Sequence, residues 1–188
     1  SAMHIIQNAD FEKDPAYYYT QCGFKCKYKA HDDVNQMTFL KGWWQFDMKG
    51  TLRWVPLPGM VLKIGNTKRD PVLIAKNKNR NEANRICAYA LASSPGYVPH
   101  DYPIFGKWLV TMKKLGTISN IKLYTRFERT FRNSLYVLDR KLAVEAVFKR
   151  YGIYEAEILE IERTLDEVTQ LSTVVGFEGL RKLLIDYV

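Results

Sequence analysis

The chain has 188 residues, 47% of them hydrophobic and 13% aromatic, and a net charge of +8, enough for one ordinary core and too polar for a stretch of 18 apolar residues that would span a membrane. Its three cysteines, Cys22, Cys26 and Cys87, exclude a disulfide framework and fit a reducing, intracellular setting. The charge is uneven: residues 20–85 carry 13 Lys/Arg against 5 Asp/Glu, and residues 150–188 carry 4 against 8, so the first stretch is the candidate polyanion surface.

Ser1-Ala2-Met3 reads as an expression remnant and is set aside. Tyr17-Tyr18-Tyr19 opens an extended or helical piece that Gly23 breaks. "FKCKYKA" then alternates Phe24, Cys26 and Tyr28 with Lys25, Lys27 and Lys29, the period of a half-buried strand with three lysines on its wet face. His31-Asp32-Asp33 reads as a turn. "QMTFLKGWWQFD" and "LRWVPLPG" read as two β segments around a tight turn at Lys49-Gly50, with "GMVLKIG" extending the same sheet.

A helical regime follows. Ala83, Ile86, Cys87, Ala90 and Leu91 recur at helical spacing, and Ser93-Ser94-Pro95-Gly96 ends that helix. Ile104, Phe105, Trp108, Leu109 and Met112 mark a second helix closed by Gly116. Asp139 caps a third that runs through Phe148 to Gly152. A fourth starts near Glu155 with Ile158, Ile161, Leu165 and Val168 on one stripe, and a short last helix covers Gly179–Tyr187. Strands followed by helices predict an α+β fold: a small antiparallel β region, then a helical majority.

Little of this resembles an active site. Asp32-Asp33 could hold two magnesium ions, but "KYKAHDDVNQ" is too polar for such a hairpin, and the turn reading is preferred. Cys22 and Cys26 lack a second ligand pair, so no metal site is expected. No nucleophile elbow, P-loop or dinucleotide fingerprint occurs. What stands out is a basic, aromatic surface: Lys25, Lys27, Lys29 and Lys41 with Trp43 and Trp44 beside them. Lysines meet phosphates as flexible point charges and aromatics stack on bases. Trp44 and Trp54 are read as core residues, because large aromatics dominate cores.

"GFKCKYKAHDD" followed by "TFLKGWW" resembles the end of the palm in viral RNA-dependent RNA polymerases of the picornavirus-like and tetravirus-like groups. There, motif D is a glycine-led strand with a basic loop, and motif E is a hairpin opening with Phe-Leu-Lys. Phe39-Leu40-Lys41 matches, the Gly23-to-Phe39 spacing fits, and Gly42 replaces the usual arginine. "NRICAYALASSPGY" is similar to the early thumb. The resemblance implies that residues 4–75 are the C-terminal part of a palm, with motif D at about 17–33 and motif E at about 37–58, and that residues 76–188 are a helical thumb.

It also implies roles. Lys41, with Trp43, would be the primer grip, and Lys25, Lys27, Lys49 and Arg53 would line the RNA. Lys29 or His31 would be the motif D general acid that protonates the leaving pyrophosphate. The parent enzyme would use Mg2+ or Mn2+ and nucleoside triphosphates. Its metal-binding aspartates belong to motifs A and C, which this chain lacks, so no metal and no polymerisation are expected of the chain alone. The implied partners are a template–product RNA duplex, the rest of the polymerase, and other replication proteins through the acidic C-terminal helices, in a host cytoplasm.

A second function class competes. "AVEAVFKRYGIYEAEILEIERTL", residues 143–165, has the outline of a helix-turn-helix regulator. Its second helix carries Glu155, Glu157, Glu160 and Glu162, the wrong sign for phosphates, so packing or a partner surface is preferred. A non-catalytic interaction domain is the third reading.

Overall fold

Leu40 and Lys41 both have positive φ, 50° and 60°. A two-residue turn of this kind matches the right-handed twist of the strands it joins. It pairs Phe39 with Gly42 and Thr38 with Trp43. The stretch expected to be one strand is therefore two: β1 (Thr38–Phe39) and β2 (Gly42–Phe46). At the far end of β2, Gly50 (φ 74°) donates its N–H to the Asp47 carbonyl at 2.9 Å and returns the chain into β3 (Leu52–Pro56), the tight turn expected at Lys49-Gly50. All pairings are antiparallel, in the order β1-β2-β3.

The computed structural model describes residues 15–25, 31, 33–62, 70–93, 98–118, 136–171, 176 and 178–187. Its α-helices are α1 (Pro15–Gln21), α2 (Pro71–Ala75), α3 (Arg80–Ser93), α4 (Phe105–Leu115), α5 (Arg140–Tyr151), α6 (Glu155–Glu167) and α7 (Glu178–Lys182), so the fold is α+β. The caps explain the boundaries. Asp70 accepts from the Val72 N–H ahead of α2, and Asp139 from the Leu142 N–H in α5. Gly152, at φ 65°, closes α5 by donating to the Phe148 carbonyl at 2.8 Å. Among the described residues no helix is long and apolar enough to cross a membrane.

One main core joins sheet to helices. Trp43, Val55 and Leu57 meet Tyr102, Phe105 and Leu109, then Val147 and Tyr151 of α5 and Ile158, Ile161 and Leu165 of α6. The stripe expected on the fourth helix is thus the buried face of α6. A smaller cluster of Ala75, Ala83, Ile86 and Cys87 fastens α2 to α3.

Two further β expectations differ. Phe24 and Lys25 are not in a strand, and Phe24 is 64% exposed rather than facing a core; the rest of "FKCKYKA", from Cys26 to Ala30, lies outside the described residues. "GMVLKIG" does not extend the sheet: Leu57 makes the last in-register bond to β2, donating to the Lys41 carbonyl, after which Met60 donates to the Leu57 carbonyl at 2.9 Å and Pro58–Leu62 forms a 3-10 turn; Lys63–Gly65 lie outside the described residues. His31-Asp32-Asp33 leads into a 3-10 turn at Val34–Gln36, capped by Asp33, which accepts from the Asn35 N–H at 2.8 Å. Asp32 lies outside the described residues.

Candidate nucleic-acid interface

The face of β2 that packs on the helices carries Trp43, Gln45 and Asp47, at most 3% exposed, while Trp44 and Phe46 are half-buried on the other side. The Trp43 indole N–H donates to the Tyr102 hydroxyl at 2.6 Å, and that hydroxyl donates to the Pro56 carbonyl at 2.7 Å. The Tyr151 ring meets Trp43 edge-on at 5.9 Å, and the Arg150 guanidinium lies 6.0 Å from its centre. Trp43 therefore has no surface to offer an RNA. It is the core indole of the hairpin, and Trp44 and Trp54, expected in the core, are the half-buried ones.

Trp54 has a different task. Its indole N–H donates to the Phe39 carbonyl at 2.9 Å, and its six-membered ring lies on Gly42. A β-carbon built at Gly42 collides with that ring, so no larger side chain has room at this position. Gly42→Ala is expected to destabilise the chain by about 1–3 kcal/mol through overpacking, read as a lower urea midpoint at constant slope.

Lys41 is exposed, but in the β1–β2 turn rather than in a strand. Lys49 is exposed in the opposite turn, about 20 Å away along β2 by strand rise. These two lysines cannot share a phosphate. Arg53 belongs to the Lys49 end, where its Nε donates to Asp47 Oδ2 at 2.8 Å and its guanidinium sits 5.1 Å from the Tyr136 ring centre. Lys25 is exposed beyond α1, His31 is half-buried, and Lys27 and Lys29 lie outside the described residues. Of the expected RNA-facing residues in the hairpin, Lys41 thus sits at one end, and Lys49 and Arg53 sit at the other.

The residue that sequence reading missed is Asp47. It accepts from the Thr51 and Lys49 N–H groups, both at 2.9 Å, as well as from Arg53. The Thr51 amide, then Arg53 and Lys49, hold its carboxyl below the usual carboxylate range. The signal was present as an aspartate two residues before Lys49-Gly50, a turn residue placed to bond its own backbone. A lowered folded-state pKa stabilises above the unfolded value and is lost as pH falls. Asn at position 47 is therefore expected to flatten the acid limb of the stability curve below about pH 4, measured by thermal melts.

Among the described residues no three His, Cys, Asp or Glu side chains gather in a way that could hold a metal ion.

The chain matches no protein-family model, no curated protein and no solved structure. Its own surface must carry the functional argument. α5 and α6 do form a helix-turn-helix outline around Gly152–Tyr154. α6, however, buries Ile158, Ile161 and Leu165 and exposes Glu155, Glu160, Asp166 and Glu167. Glu157 binds Lys182 at 2.8 Å and accepts the Tyr154 N–H, and Glu162 turns toward Arg140. An acidic recognition face would be repelled by DNA. No observation favours the regulator.

Proposed function

We propose that this chain is the C-terminal palm and thumb portion of an RNA-directed RNA polymerase, and that its β-hairpin contacts the backbone of the growing RNA strand. The observation that carries the reading is the Phe39-Leu40-Lys41 turn: the tripeptide shared with motif E folds as a tight, exposed turn at one end of the sheet, with Lys41 in it. A lysine there acts as a point charge on phosphate, which positions a strand without reading its bases. The turn limits the backbone freedom of Lys41, so little ordering is needed when it binds. Trp43 and Tyr102 fasten the same hairpin to the segment that enters α4, so the contact is mounted on the helical layer.

The rest of the reading follows from the resemblance. Lys29 or His31 would donate the proton to the leaving pyrophosphate, and the metal ions and triphosphate would be held upstream, in an infected cell's cytoplasm. Binding of a labelled primer–template RNA, followed by anisotropy from 50 to 300 mM salt (roughly the range where phosphate contacts dominate), tests the grip. Lys41→Gln is expected to lower the salt slope by about one and to weaken binding similarly for any RNA sequence. An unchanged slope would remove Lys41 from the interface.

A further inference from the structure

We propose that the elbow between α2 and α3 is a second RNA-contact surface, formed by Lys76, Lys78 and Arg80; this rests on the reading of the chain as RNA-binding. The charge itself points there. Of the 13 basic residues between positions 20 and 85, seven fall within residues 63–85, against two acidic ones, Asp70 and Glu82. The hairpin supplies only Lys41, Lys49 and Arg53, and Arg53 is held by Asp47. The polyanion signal in the composition therefore lies in residues 63–85 as well as in the hairpin, and the elbow carries three of those seven cations, Lys76, Lys78 and Arg80.

The sequence at the elbow is Lys76-Asn77-Lys78-Asn79-Arg80-Asn81, a strict alternation of cation and amide. The structure gives each class a separate task. Asn77 Oδ1 accepts from the Asn79 N–H at 2.9 Å, and Asn79 Oδ1 accepts from the N–H groups of Asn81 and Glu82 at 3.0 and 3.2 Å. Two amides thus fold back on the main chain and fix the loop. Lys76 adopts left-handed backbone, φ 50° and ψ 36°, which turns the chain out of α2.

Lys76, Lys78 and Arg80 are all exposed. The Arg80 side chain stays 65% exposed although it pairs with Asp70 at 2.9 Å. Arg85, further along α3, is 53% exposed and donates to the Leu115 carbonyl. Beneath them the Ala75, Ala83, Ile86 and Cys87 cluster locks α2 against α3. Two lysines on the loop and the first residue of α3 are displayed on backbone whose conformation is set before any ligand arrives, which lowers the ordering cost of a backbone contact. Unlike a pocket, such a display recognises dense negative charge and no particular base.

The test combines Lys76→Asn, Lys78→Gln and Arg80→Gln, with asparagine at position 76 to suit the left-handed backbone. Binding of the labelled primer–template RNA is measured across salt as for Lys41→Gln. The triple variant is expected to lose about two to three units of salt slope, at roughly 0.9 per phosphate contact. Lys78→Gln alone, the substitution least able to disturb folding, is expected to lose about one. If the triple variant keeps the full slope while Lys41→Gln loses its share, the elbow is overturned and the grip stands. If the unmodified chain binds no RNA, the polymerase reading fails and takes this partner with it.

Discussion

Replacing Trp43 with alanine is expected to destabilise the chain by about 3–5 kcal/mol, the range for deleting a fully buried large aromatic. The indole is 0% exposed and bridges the hairpin to both Tyr102 and Tyr151. Its removal opens a cavity between β2 and α5 and takes away the indole N–H that the Tyr102 hydroxyl accepts. Tyr102→Phe isolates the polar part of the effect. It keeps the ring but leaves a buried N–H and a buried carbonyl unpaired, at about 1–3 kcal/mol for each. Urea unfolding of Trp43→Phe, Tyr102→Phe and the two combined gives a double-mutant cycle, and a coupling near zero would mean that the hydroxyl link contributes nothing. The expectation bears on function as well. If the hairpin carries the RNA contact, loosening Trp43 should weaken RNA binding in step with stability, whereas Lys41→Gln should weaken it alone.

The helices were legible because their signals are local. Asp139, Gly116 and Gly152 stand at observed boundaries, and the Ile158-Ile161-Leu165 spacing marks a face that is in fact buried. The hairpin was legible only in part. A turn with two positive φ values usually advertises itself with Asn or Gly, and Leu40-Lys41 shows neither. That missed turn matters because side chains alternate with period two, so the face on which a strand is buried has to be read separately. Here the alternation misleads. Trp44 and Phe46 look like the inward pair and Gln45 and Asp47 the outward one, yet the polar pair is buried. Asp47 is acceptable inside because the turn amides and Arg53 satisfy it, information that lies in three-dimensional contacts and not in hydropathy. The charge was legible as a total over residues 20–85, but which of its cations are exposed and which are paired, as Arg53 is with Asp47, depends on contacts that composition does not contain.

Glu162→Ala is the second large expected loss, at about 2–4 kcal/mol, because it strands a strained backbone as well as a charge. Ile104 sits at φ 63° and ψ −58°, an unusual place for a β-branched residue. The Phe105 N–H donates to the Pro103 carbonyl at 2.6 Å across it, closing a three-residue γ-turn of the strained kind. The Ile104 side chain, being apolar, cannot itself cap α4. Glu162, from α6, does so from a distance in sequence: its Oε1 accepts the Ile104 N–H at 3.0 Å while its Oε2 binds Arg140 at 2.7 Å. Arg140 in turn donates to the Asp101 carbonyl at 3.0 Å. One carboxylate therefore pins the starts of α4 and α5 to the middle of α6. The ion pair itself counts for little, since the Arg140 side chain is 38% exposed. Most of the effect should come from the Ile104 amide, so Glu162→Gln, whose carbonyl can still accept that N–H, should lose about half as much as the alanine variant. Equal losses in the two variants would assign the effect to the charge instead. Either result bears on the acidity of α6: Glu162 is one of the four glutamates that argued against a recognition helix, and it faces inward as a cap for another helix.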